Sequence, residues 1–237
     1  MKVSVLVPTY NRPALLAETL ESLTRQTMPP GQFEVIVVND GGEPVGDLPL
    51  GLNGCVVYQE NKGLSAALNH AYALSSGEYV TVSADDDLVL PHKLLGLSVA
   101  LDKAPDGTSA VFGYPIHTDY EGQSLGCPEK VRQFLRDYPV VTSEIALNVG
   151  MWVHGTATMY PRWAWDRIAE GGKVWDESLP TAEEFDLHHR LLRFVGPFRG
   201  VDLPVVTYRA GGKHQRHKSE RGRRPREIMN RIYAKVA

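Results

Sequence analysis

Asp85, Asp86 and Asp87 follow the β-rich run Tyr79-Val80-Thr81-Val82 and precede Pro91, which can open a helix. If that run is a buried parallel strand, its C-terminal end delivers three carboxylates to the rim where open α/β sheets hold their ligands. Carboxylates packed this closely repel one another. The ready relief is a divalent cation held by oxygen ligands and shared with phosphate oxygens of a substrate. Taken alone, the triplet is better read as a solvated turn that caps the next helix, because Asp is common at N-caps.

Other polar turns shift the balance toward a site. Pro8-Thr9-Tyr10-Asn11-Arg12 follows an apolar run from Val3 to Val7 and leads into a helix, where backbone N–H groups and a guanidinium both favour anions. Asn39-Asp40-Gly41-Gly42 follows a second run, Phe33 to Val38, in the same way. Asn61-Lys62-Gly63 precedes a helix from Leu64 to Leu74, in which Leu64, Ala67, Leu68 and Ala71 recur at helical spacing. Four polar turns thus converge on one rim.

The elements that must position these turns read as strand, helix, strand, strand, helix, strand, helix over the first hundred residues. Helices are expected over Pro13 to Gln26, with Leu16, Leu20 and Leu23 on one face, and over Pro91 to Lys103; Val56 to Gln59 is a weaker strand. This alternation argues for an α/β fold with a mostly parallel sheet and helices on both faces. In the second half, Ala110 to Tyr114 reads as a strand, residues 115 to 128 as a loop, and Val131 to Tyr138 as a short helix. Gly155 to Tyr160 is strand-compatible, Trp163 to Ala169 helical with Gly171-Gly172 ending it, Ala182 to Val195 a clear helix, and Val201 to Tyr208 a last strand.

Composition sets the frame. With 237 residues and 43% apolar content, the chain can bury a full core as one large domain. No stretch approaches the roughly 20 apolar residues of a membrane span, and the first residues enter a strand without a signal-peptide pattern, so cytoplasmic residence is the default expectation. Cys55 and Cys127 match no metal spacing and read as reduced thiols. Residues 209 to 237 carry ten Lys or Arg against two Glu, a charge of +8, which leaves −11 on the rest. Such a tail can meet donor phosphates, anionic lipid headgroups or nucleic acid, or stay solvated. If residues 225 to 236 are helical, Ile228, Ile232 and Val236 share a face flanked by Arg226, Arg231 and Lys235, which suits peripheral docking at the inner membrane face or on a second protomer.

The turns quoted above, with Glu60 to Asn69, Gly77 through Pro91 and the later Ala182-Glu183-Glu184-Phe185-Asp186-Leu187, resemble in order and spacing the motifs of family 2 glycosyltransferases over about residues 3 to 210. The resemblance implies a GT-A (Rossmann-like) fold, a nucleotide-diphosphate sugar donor with a UDP-sugar favoured, Mn2+ or Mg2+, and inverting transfer. Residues 1–208 would form the GT-A domain, with 1–104 the nucleotide-sugar-binding half and 105–208 the acceptor and catalytic half, followed by the basic tail 209–237.

By position, Asp40 would accept a hydrogen bond from the nucleobase beside Asn39, with Pro8, Thr9, Tyr10 and Arg12 lining the nucleoside pocket, and Asn61, Lys62 and Gly63 near the ribose and diphosphate. The acidic motif aligns in two ways, as Asp85 and Asp87 or as Asp86-Asp87 with Ala84 where many relatives have Asp. In either case Asp87 or Asp86 would bind the metal, with Asp85 as the nearest further ligand or facing the ribose. Glu184, then Glu183, is the expected general base; relatives usually have Asp where Glu184 stands. Asp186 would line the acceptor side or brace it by pairing with Arg190 at i+4. Trp152 and His154 are candidates for the acceptor cleft, although Trp152 reads more readily as core. His214 and His217 lie where some relatives place an additional metal or phosphate contact. His188 and His189 point in different directions on their helix and do not suggest a metal pair.

Two other functions fit parts of this pattern. A sugar-nucleotide nucleotidyltransferase shares phosphates, metal and topology, but that class usually carries a Gly-rich basic loop after the first strand, and Pro8 to Pro13 contains no glycine. A non-catalytic nucleotide-sugar-binding protein would follow if the acidic helix did not face the donor. The acceptor is left open among a saccharide, a lipid-linked sugar, a protein and a nucleic acid.

Overall fold

The computed structural model describes residues 1–119, 122–149, 153–179, 182–209 and 234. The run Val3 to Thr9, nearly all of it buried, becomes strand β1 (Val3–Thr9) at the centre of the sheet. It pairs in parallel with β2 (Phe33–Asp40) on one side, from Val3 opposite Phe33 to Thr9 opposite Asn39, and with β4 (Tyr79–Val82) on the other. β3 (Gly54–Gln59) extends the parallel half beyond β2. Because the chain leaves β1 toward β2 and returns as β4 on the opposite side, the C-terminal ends of β1 and β4 flank a topological switch point, where such sheets open a crevice for ligands.

Alternation along β1 divides its side chains between two cores. Val3, Val5 and Val7 pack with Leu16, Leu20 and Leu23 of α1 (Pro13–Leu23) and with Leu94, Leu97 and Leu101 of α3 (Lys93–Asp102). Leu6 faces the other way, with Ala67, Leu68 and Ala71 of α2 (Leu64–Leu74), Trp165 of α6 (Arg162–Ile168) and Leu187 and Leu191 of α7 (Glu183–Phe194). Helices therefore cover both faces, as the periodicity predicts.

The second half departs from the expected elements in ways with local causes. β6 (Ala110–Thr118) continues past Tyr114 into the expected loop and is met there by the short β7 (Ser124–Gly126). Pro115, which lacks an N–H, is tolerated because the register against β10 (Phe198–Arg209) is irregular at that point, between Pro204 and Val206. Gly155 to Ala157 is a 3-10 turn rather than strand, and β9 (Thr158–Pro161) starts after it, running antiparallel between β4 and β6. Further short elements are β5 (Leu88–Val89), α4 (Glu129–Asp137), β8 (Val140–Val141) and α5 (Ser143–Asn148), the last capped by the Thr142 side chain. β5 pairs antiparallel with β10, so the segment carrying the three aspartates is held between β4 and β10. The expected tail helix over 225 to 236 lies outside the described residues apart from Ala234. Among the described residues no helix is long and apolar enough to cross a membrane, and both cysteines are free thiols.

A buried polar staple ties the loop after α6 to α2. The Asn69 side-chain amide accepts the N–H groups of Val174 and Trp175 at 3.0 and 2.9 Å and donates to the Trp175 carbonyl at 2.9 Å and to Glu177 at 3.0 Å. All of its hydrogen-bonding capacity is used. Asn69→Ala should leave those backbone groups unpaired inside the core and lower the unfolding free energy by about 3 kcal/mol, as read from the urea midpoint; an unchanged midpoint would show that the loop re-forms its bonds elsewhere.

Candidate active site

Beyond β4 the chain stays beside β1 for one more rung, with the Ser83 N–H donating to the Leu6 carbonyl at 2.9 Å. This presents Asp85 to the end of β1. Thr9 donates its hydroxyl to Asp85 at 2.8 Å, and the Arg12 guanidinium contacts Asp85 and Asp86 at 3.0 Å each. Thr9 and Arg12, expected to line a nucleoside pocket, thus also brace the acidic segment. Burial pushes the Asp85 carboxyl up, and the Arg12 charge and Thr9 hydroxyl offset only part of that. Asp87 turns the other way. Its main-chain carbonyl takes the Thr19 hydroxyl of α1 at 2.9 Å, and its carboxylate is 1% exposed.

Asp87 Oδ2 is buried without a hydrogen-bond partner among the described residues. Burial first, and the Asp86 charge second, push this carboxyl up to about 7, although the Arg209 N–H, the Thr156 hydroxyl and the Lys93 ammonium nearby favour its charged form. Among the described residues no three His, Cys, Asp or Glu side chains gather around one point. A cation here would draw its remaining ligands from substrate oxygens and water, and the unpartnered Asp87 oxygen with the half-buried Asp86 fits that role. His214 and His217 lie outside the described residues, as does Trp152.

The rim formed by β2 and α2 is organised around Asp40. Its carboxylate, 5% exposed, accepts the Gln59 side chain and the Lys62 and Gly63 N–H groups, each at 2.8 Å. The negative charge therefore sits at the N-terminus of α2, where the helix dipole favours it, and fixes the segment 61–63. Gly63 has φ +89, in the left-handed region that glycine enters at little cost. Asn39 is fully buried and shapes the next turn, accepting the Gly42 N–H at 2.9 Å and donating to the Glu43 carbonyl at 2.7 Å. Pro8 is half-buried at the end of β1, while Tyr10, Asn61 and Lys62 are exposed along the same edge.

The acidic helix comes from the far end of the chain. Ala182, with φ +65, caps α7 in a left-handed conformation that is rare for residues with a Cβ, next to Glu183 and Glu184. Glu184 Oε1 accepts the Gly155 N–H at 2.7 Å, and Thr156, the next residue, lies at Asp87. Glu183 is half-buried one position earlier on the helix, turned by about 100°. Asp186 is fully buried and pairs with Arg190 at 2.7 Å, which is the bracing arrangement its spacing suggests. His188 bonds the Tyr160 hydroxyl at 2.6 Å and His189 stacks on Phe185, so neither serves a shared metal pair. His154 stands beside His117 and Tyr208, with ring centroids 6.3 and 5.2 Å away, and burial followed by the His117 charge pushes it down to about 4. It is a neutral imidazole at physiological pH.

Gly155 and Lys93 were not anticipated. Gly155 gave no signal beyond its type. Lys93 did: it stands four residues before Leu97 on the apolar stripe of a helix, where a lone cation is out of place.

The unpartnered Asp87 oxygen has a consequence for stability. Its folded-state carboxyl titrates near 7 against an ordinary value of 3.8. An acid whose folded pKa is raised destabilises the fold as pH climbs through that window. With a chelator present, Asp87→Asn should gain melting temperature relative to the unsubstituted protein between pH 5 and pH 8. A difference that does not change with pH would show that Asp87 finds a partner when ionised.

Comparison with known proteins gives the family and the fold. The model of the family described as Glycosyl transferase family 2 matches residues 4–145. An uncharacterized glycosyltransferase of Bacillus subtilis, YwdF, is 34% identical over 251 aligned residues, covering 99% of this chain and 84% of that protein. Uncharacterized glycosyltransferases of Rickettsia felis and Rickettsia conorii match at 28% identity over 81% of this chain, and the chain spans only 31% of their length. Among solved structures, Staphylococcus aureus TarS 1-349 in complex with UDP-GlcNAc superposes with a TM-score of 0.67 at 23% identity, over 90% of this chain and 60% of that one. The mannosyltransferase PcManGT of Pyrobaculum calidifontis in complex with GDP-Man and Mn2+ superposes with a TM-score of 0.66 at 22% identity, over 99% and 63%. At such identities the structural likeness is one of fold, the GT-A fold. With the family model spanning more than half of its residues and a Bacillus relative matched along nearly its whole length, the chain belongs to glycosyltransferase family 2.

Proposed function

We propose that the chain transfers a sugar from a nucleotide-diphosphate donor to an acceptor hydroxyl, with inversion at the anomeric carbon. The observation that carries this reading is that two consecutive residues meet the two acidic groups: the Gly155 N–H bonds Glu184, and Thr156 lies beside Asp87. A base and a diphosphate-binding carboxylate thus flank one short turn, as an in-line displacement needs them on opposite sides of the reacting carbon.

Residues 1–104 would hold the donor. Tyr10 offers an exposed ring for the nucleobase. Asp40 presents a carboxylate whose Oδ2 receives the Gly63 N–H and keeps a lone pair for a base N–H, which suits a uracil ring. Asn61, Lys62 and Gly63 would meet the ribose and diphosphate, while Arg12 holds Asp85 and Asp86 in place. A divalent cation, Mn2+ or Mg2+, when bound at Asp87 and Asp86, supplies Lewis-acid stabilisation of the charge on the departing nucleotide. Residues 105–208 would hold the acceptor, with His154 and its neighbours His117 and Tyr208 lining the approach. Glu184 takes the acceptor hydroxyl proton as the new bond forms, its carboxylate aimed by the Gly155 N–H. The solved relatives hold UDP-GlcNAc in one case and GDP-Man with Mn2+ in the other, and a uridine diphosphate sugar is the donor favoured here.

In a screen of nucleoside diphosphates with and without Mn2+, UDP should raise the melting temperature only when the metal is present; stabilisation that ignores the metal would remove the cation from the mechanism. Glu184→Gln should keep that shift and lose transfer by about 10²- to 10⁴-fold, and wild-type turnover in this variant would dismiss Glu184 as the base. A Cβ at residue 155 would meet Glu184 Oε2 at 2.7 Å and its carboxyl carbon at 2.8 Å. Gly155→Ala should therefore lower kcat by about 10²-fold with donor KM little changed, whereas an equal loss in both would place the turn in donor binding.

A further inference from the structure

We infer that Lys93 is a positioning residue for transfer: its ammonium is wedged into the fork between the strands that carry the two halves of the site and sets their separation. The inference rests on the assignment of Glu184 and Asp87 as the groups that flank the reacting carbon.

Lys93 opens α3 on the face that also buries Leu94, Leu97 and Leu101, and its own side chain is fully buried. Burying an ammonium is costly, and Leu or Met would fill the same volume at lower cost, so its retention points to its hydrogen bonds. Those bonds go to two carbonyls, of Thr156 at 2.7 Å and of Val82 at 3.3 Å. The ladder between β4 and β9 has its last rung at Thr81 and Met159, reinforced by the Thr81 hydroxyl on the Thr158 carbonyl at 2.7 Å. Past this rung the strands part. One arm runs from Val82 into Asp85, Asp86 and Asp87, and the other holds Thr156 and Gly155.

Across the fork the carbonyl oxygens of Val82 and Thr156 share one donor, the Lys93 Nζ. An ammonium is a donor-only group with three N–H bonds and a long stem, which suits this gap. Burial pushes its pKa down to about 7 while the Asp87 charge favours the ammonium form; charged or neutral, the amine has N–H groups for both carbonyls. Beyond the Thr81 rung Lys93 ties the arm bearing Gly155 to β4 through Thr156, and Gly155 in turn bonds Glu184. Lys93 thus acts on the chemistry through the 155–157 turn, without touching substrate.

The test replaces Lys93 by Met, which keeps the length and removes charge and donors, and by Gln, a shorter neutral side chain with two N–H bonds. A crystal structure of Lys93→Met should show the 155–157 turn displaced from Val82 and the Gly155 to Glu184 hydrogen bond broken. Transfer kinetics should show kcat reduced by about 10²-fold, with donor KM and the UDP-dependent thermal shift unchanged, and Lys93→Gln should recover part of the loss. A folded Lys93→Met with the turn unmoved, or with wild-type kcat, overturns the inference. If Met at this position does not fold, Lys93→Leu, which also lacks donors, carries the same two readings: an unmoved turn or wild-type kcat counts against the proposal. Glu184→Gln run alongside separates the failures: wild-type turnover there defeats the assigned mechanism, while loss there combined with full activity in Lys93→Met defeats only the role of Lys93. The displacement of the turn decides the question for any donor.

Discussion

Burial of adjacent carboxylates at the edge of the sheet, compounded by their mutual repulsion, is the constraint around which this molecule is arranged. Two unit charges about 5 Å apart repel by about 3 kcal/mol at an effective dielectric constant of 20, and solvent screens little of that where Asp85 and Asp87 lie, at 5% and 1% exposure. The protein answers unequally. Asp85 and Asp86 share one guanidinium, and Asp85 takes a hydroxyl as well, both from the loop after β1. Asp87 is left with a buried oxygen that has no hydrogen-bond partner among the described residues. The same segment therefore supplies a pinned, structural carboxylate and one whose charge is only partly offset, and the second suits a cation.

The central place of β1 makes that asymmetry affordable. Its C-terminal loop lies beside the end of β4 because the two strands pair in parallel, so Thr9 and Arg12 need no long reach to meet Asp85. Parallel pairing with β2 brings Asp40 to the same edge, where it is used by the segment 61–63. Several groups at the rim thus hold one another before any ligand arrives. Such prior organisation lowers the ordering cost of binding, and it explains why Arg12 and Asp40 contact protein as well as facing the crevice.

The other half of the site is assembled by non-local contacts. Glu184 arrives on α7, about a hundred residues after the aspartates in sequence, and is aimed by one backbone N–H on a 3-10 turn. The antiparallel insertion of β9 beside β4 puts that turn against the acidic segment. Beyond the last rung the two strands separate, and a lysine bridges them.

Much of this was legible in the residues themselves. Apolar runs of strand length, helical spacing of Leu and Ala, and polar turns at the end of each run are local patterns, so the parallel half, its helices and the acidic rim follow from β1, β2, β4, α1 and α2 as read along the chain. The pairing of Asp186 with Arg190 is equally local, one helical turn apart. Contacts between distant residues are not encoded by any period. The sharing of Arg12 between Asp85 and Asp86, the capture of Lys62 and Gly63 by Asp40, the continuation of β6 through Pro115 and the hold of Gly155 on Glu184 arise from which strands become neighbours. That neighbourhood is set by burial summed over the whole core, a quantity that belongs to the folded chain and to no single segment of it.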